Sequence, residues 1–71
     1  MNRFKIVNMK IEGLAGPVAM EATGTGLTQR EGEWFVDLDH PMFASLHPFY
    51  LAPLDEEAAV MLRDAKTRGV A

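Results

Sequence analysis

Cysteine is absent from these 71 residues, which removes disulfides, thiolate metal sites and thiol nucleophiles from consideration. In a short chain that absence has consequences for stability. A domain of this size buries only about 60% of the surface its unfolded chain exposes, and small folds often compensate with a bridge or a metal. A partner surface is the remaining supplement. Long apolar runs are missing too. No stretch approaches the roughly 20 residues of a membrane-spanning helix, and the opening Met1-Asn2-Arg3-Phe4-Lys5 lacks the apolar core of a signal peptide. The expectation is a cytoplasmic protein.

Positive charge is absent where negative charge is densest. Residues 31–57 carry Glu31, Glu33, Asp37, Asp39, Asp55, Glu56 and Glu57 without a single Lys or Arg. The bases lie on either side: Arg3, Lys5, Lys10 and Arg30 before, Arg63, Lys66 and Arg68 after, within a net charge of −3. Affinity for nucleic acid comes mostly from Lys and Arg, so the acidic centre argues against phosphate contact there and leaves room for a basic partner. Three of the acids, Asp55 to Glu57, also sit where a helix start favours negative charge.

The signatures of several chemistries are missing as well. Thr23-Gly24-Thr25-Gly26-Leu27 has neither a third glycine nor a following Gly-Lys-Ser/Thr, so it is neither a dinucleotide fingerprint nor a phosphate loop. A β-bulge or a close backbone approach is the expected role of its glycines. The only serine, Ser45, stands in Phe43-Ala44-Ser45-Leu46-His47, without the flanking glycines of a nucleophile elbow. A Ser45–His47–Asp39 triad has no support from spacing. Asp37, Asp39, His40 and His47 could in principle ligate a divalent metal. However, Asp37 and Asp39 share one side of a strand while His40 points away. Each histidine also precedes a proline that holds the local backbone extended. A chain this short leaves little room for a pocket that encloses a substrate. The expectation is a protein that is not an enzyme and takes no cofactor or metal.

What is present reads as one folded α+β domain, with an apolar fraction of 48%. Residues 3–12 alternate like a strand, but the phase changes: Phe4 and Ile6 share one face, and Val7, Met9 and Ile11 the other. A bulge near Ile6-Val7, or a bend as in a small barrel, would account for that. Gly13 to Pro17 reads as a turn, residues 18–28 as a second strand, Gln29 to Gly32 as another turn, and 33–38 as the clearest strand. In that third strand Trp34, Val36 and Leu38 face inward, and Phe35 lies outside with Glu33 and Asp37. Short turns imply antiparallel pairing. A helix over 55–68 has Asp55 as N-cap, an apolar stripe at Ala58, Met61, Leu62 and Ala65, an Asp64–Arg68 pair, and Gly69 as its stop. The predicted fold is an antiparallel sheet of three strands, with a fourth as an option, and one C-terminal helix packed on it. The alternative is a small SH3-like or OB-like barrel with a terminal helix.

Residues 39–53 stand apart. Pro41, Pro48 and Pro53 forbid one continuous helix or central strand, yet the segment is apolar and repeats itself loosely: His40-Pro41-Met42-Phe43, then His47-Pro48-Phe49-Tyr50. Such a segment is either tucked against the sheet or presented to a partner. Tyr and Phe are what binding hot spots use. The candidate partner-binding residues are therefore Phe43, His47, Phe49 and Tyr50, with Asp37 and Asp39 as acidic neighbours. The function expected is a small protein-binding module or inhibitor that docks on a larger protein, of the kind phages and mobile elements encode. A self-associating structural or adaptor subunit, including a homodimer, is the alternative. A nucleic-acid-binding domain using Arg3, Lys5 and Lys10 is a second alternative.

Overall fold

The computed structural model describes residues 1–9 and 20–68. Within them the chain forms β1 (Arg3–Ile6), β2 (Met20–Arg30), β3 (Glu33–Asp39), β4 (Ser45–Leu46), a 3-10 turn (Pro48–Tyr50), β5 (Leu51–Pro53) and α1 (Glu56–Arg68). The strands make one open antiparallel sheet in the order β4-β3-β2-β1-β5. The helix expected over 55–68 is in place. The sheet is larger than expected from sequence, because the proline-rich segment contributes β4 and β5. Neither strand shows an alternating pattern in sequence, since two or three residues are too few to carry a period. The barrel alternative is not needed: β4 and β5 are opposite edges and do not pair.

Only His47 to Tyr50 separate those two edges. Five strands laid flat span about 19 Å, whereas the steps from Leu46 to Leu51 reach at most about 17 Å even fully extended. The sheet therefore has to curl. It does so around Phe4, Ile6, Val36, Leu38, Leu46 and Leu51, all buried, and the helix closes the same side with Ala58, Leu62 and Ala65.

The register of β2 and β3 is set at both ends. Arg30 pairs with Glu33, so the turn is only Glu31-Gly32. Both residues have positive φ, 51° and 84°, the two-residue hairpin turn that matches strand twist. Further along, the register shifts between Gly24 and Gly26, the bulge expected from the glycines. A Cβ on Gly24 would lie 2.6 Å from the Phe4 ring and 3.0 Å from the Met61 sulfur, so the bare glycine makes room for both.

The phase change in the first strand has a different cause from the bulge expected there. Among the described residues pairing stops at Ile6, and Asn8 turns the chain with φ 58°. Its side chain donates to the Phe49 carbonyl at 2.9 Å, while the Val7 amide donates to the Tyr50 carbonyl at 2.8 Å. The turn returns Met9 to the core. The remainder of the expected strand 3–12, the turn at Gly13 to Pro17, the start of the strand at 18 and the Gly69 stop lie outside the described residues.

The helix start is tied to β1. Asp55 accepts from the Ala58 amide at 2.8 Å and, through its other oxygen, from the Arg3 amide at 3.0 Å. These two hydrogen bonds favour the carboxylate and hold its pKa below the ordinary value. At the other end Arg68 pairs with Asp64 at 3.2 Å and lies over the Trp34 ring.

Candidate functional site

The outer face of the sheet carries the alternate residues of each strand, and no described helix or strand packs over it. At its β3 side Phe35 is half-buried, with no layer above it among the described residues. Two neighbours shelter it instead: the Arg30 guanidinium sits 4.7 Å from the ring centroid, and His47 meets it edge-on at 5.7 Å. Arg30 also donates to the Ser45 hydroxyl. Asp37 accepts from the Thr28 hydroxyl at 2.7–2.8 Å, and His47 Nε2 stands 3.9 Å from Glu33. Ser45 thus serves Arg30 and does not pair with His47 in a nucleophilic arrangement.

Both His-Pro pairs have the same local job. The His40 Nδ1 accepts from the Met42 amide at 3.1 Å, and the His47 Nδ1 accepts from the Phe49 amide at the same distance. Each imidazole replaces, for the residue two positions on, a hydrogen bond that the intervening proline cannot help to organise. Since Nδ1 accepts, the neutral ring carries its proton on Nε2. The echo in sequence is therefore a repeated turn. Among the described residues no three His, Asp or Glu side chains converge as metal ligands.

The six candidate residues divide. Phe49 and Tyr50 come together edge-to-face at 5.1 Å. Tyr50 also packs against the core, as does Phe43, which stacks on His40 at 5.4 Å. Phe49 is different: it is 60% exposed although Pro48 before it and Leu51 after it are buried. Asp37 and His47 are brought to the sheet near Phe35, but their polar contacts go elsewhere, Asp37 to Thr28 and His47 to the Phe49 amide and Glu33. Asp39 stands exposed at the end of β3, opposite Thr23. The segment is thus tucked in at Leu46, Pro48 and Leu51 and exposed at Met42 and Phe49.

Two contributors escaped the sequence reading. Met42 is 62% exposed and stands beside the Phe43–His40 stack. Arg30, read as part of a turn, is the last residue of β2 and faces outward. A two-residue Glu31-Gly32 turn would have placed Thr28 opposite Phe35 and Arg30 diagonal to it, which was the available signal.

On the basic side, Arg3 pairs with Glu21, and Lys5 lies opposite Glu21 in the register. The single Glu21 carboxylate thus answers Arg3 directly and faces Lys5 across the register, and Lys10 lies outside the described residues. Among the described residues no helix is long and apolar enough to cross a membrane. No family model, curated protein or solved structure matches the chain.

Proposed function

We propose that this chain is a small non-enzymatic binding module that docks on a larger protein through the turn joining β4 to β5, in the manner of an inhibitor or adaptor. The observation that carries the reading is Phe49. A large aromatic held 60% exposed on a turn fixed at both sides by buried residues is already ordered before a partner arrives. An anchor of that kind spends little conformational entropy on binding. Tyr50 supports it edge-on, and Asn8 and His47 hold its backbone. Met42 adds a second exposed apolar side chain. The acidic residues Asp37 and Asp39 favour a partner with basic groups nearby.

Phe49→Ala tests the proposal without disturbing the core. Truncating a hot-spot aromatic removes about 2 kcal/mol or more of binding, roughly thirtyfold in affinity. Affinity capture from lysate of the source cell with wild type and Phe49→Ala should give a partner that the variant loses. Recovery of the same partners by a folded variant would refute the assignment. Self-association is the second reading, because the same exposed Phe49 and Met42 would serve it. Light scattering separates the two: a monomer favours docking on another protein, and a stable dimer that Phe49→Ala dissociates favours self-association.

A further inference from the structure

The pairing of β1 with β2 ends early, and its end opens a second surface. Asn2 accepts from the Gly24 amide at 2.7 Å and then, with φ 53°, turns the chain off the edge of β2 toward the helix. Past Gly24, β2 continues for six more residues to Arg30 while β1 does not. One side of that stretch pairs with β3; on the side that faces β1 no strand lies among the described residues, and there its outward amides and carbonyls form a free sheet edge. Directly beneath runs a groove of about 440 Å³ between this edge and the helix. Leu27, Val60 and Met61 make its floor, Asn2 closes one end, and Glu56, Glu57 and Asp64 line the helix side. No Lys or Arg is among the lining residues.

We infer that this edge and groove accept an extended peptide segment of a partner, added as a strand beside residues 26–30 and carrying Lys or Arg at alternate positions. A strand added to an edge gains main-chain hydrogen bonds and points every second side chain to one face. On this face those side chains enter the groove. A Lys or Arg fits both parts of it: the methylene stem lies on Leu27, Val60 and Met61, and the charged head reaches the carboxylates. Asp64 already meets Arg68, and the Met1 ammonium reaches Glu57 at 3.1 Å. Both contacts are exposed, and the second seats a cation on this rim. A second copy of the chain is the poorer occupant. Pairing β2 edge to β2 edge about a two-fold axis would bring two acidic helix flanks together, and like charges across an interface oppose association.

The probe is a capped peptide of about seven residues alternating valine and lysine, long enough to cover the free edge. Binding is followed by fluorescence anisotropy at low salt and by amide hydrogen exchange. The expected result is saturable binding that weakens with added salt and slows exchange within residues 26–30. Glu56→Gln, Glu57→Gln and Asp64→Asn together should weaken it roughly tenfold. Val60→Lys, at an exposed position, should weaken it without touching the helix start. Phe49→Ala should leave it unchanged, which separates this surface from the turn described above. The inference is overturned if no saturable binding occurs. It also fails if the peptide N-methylated at alternate residues binds equally well, or if exchange slows only elsewhere. Exchange at 26–30 that slows with protein concentration alone would assign the edge to a second copy and overturn it as well.

Discussion

At Gly24 the lack of a side chain decides how the helix meets the sheet. An added Cβ would stand 2.6 Å from Cε2 of Phe4 and 3.0 Å from the Met61 sulfur. Phe4 is fully buried and cannot swing aside. Gly24→Ala should therefore destabilise by about 1–3 kcal/mol, the usual range for overpacking. Gly26→Ala, whose Cβ would meet nothing nearer than an Asp37 oxygen at 3.5 Å, should change stability far less. Urea unfolding of both variants checks the contrast. Asp55 gives a prediction of a different kind. Its pKa is lowered from about 3.8, first by the Ala58 amide and then by the Arg3 amide. A depressed folded value contributes stability that is fully present above the unfolded pKa and is lost as pH falls through the folded one. Asp55→Asn keeps a capping oxygen but cannot titrate. Its melting temperature should accordingly fall less than wild type's between about pH 5 and about pH 2. Parallel acid limbs in the two proteins would contradict the role given to this carboxylate.

Among the elements, the β2–β3 hairpin and the helix were legible because each repeats a period long enough to see. Trp34, Val36 and Leu38 alternate, and Ala58, Leu62 and Ala65 recur at helical spacing with a cap before them. β4 and β5 were not legible, because short strands are formed by tertiary pairing with β3 and β1 and carry no signal of their own. The hairpin turn is two residues shorter than the expected Gln29 to Gly32, because Gln29 and Arg30 still pair with β3. Glu31 is an unusual occupant of a position with φ 51°, where Asn-Gly is the common pair. Glu31→Asn should relieve that strain and raise stability by about 0.5–1 kcal/mol, visible as a higher melting temperature. In the helix, Leu62 is only 6% exposed and sits against the sheet. Leu62→Ala should cost about 2–5 kcal/mol, and circular dichroism should show a largely unfolded chain, given how little margin a small domain has.

Across the described residues as a whole, the core is one layer of side chains between a curled sheet and one helix. Among the described residues that arrangement leaves three surfaces different in character: the polar outer face with Phe35 sheltered by Arg30 and His47, the turn that displays Phe49, and the acidic groove beside the part of β2 that β1 does not cover. The sequence pointed to residues 39–53 as the segment to watch, and Phe49 lies within it. It could not separate Phe43 and Tyr50, which lean on the core, from Phe49, which does not. All three are aromatics in an irregular segment, and only the pairing of β4 and β5 decides which way each one faces. The edge groove was invisible for the same reason, being formed where β1 stops and the helix crosses.

The measurement closest to the central claim is amide hydrogen exchange on the chain alone and saturated with the protein that it captures. Docking through the β4–β5 turn predicts slowed exchange at residues 46–52 that is lost when Phe49→Ala is used. Protection that leaves 46–52 unchanged and falls only on other parts of the sheet or helix would contradict it.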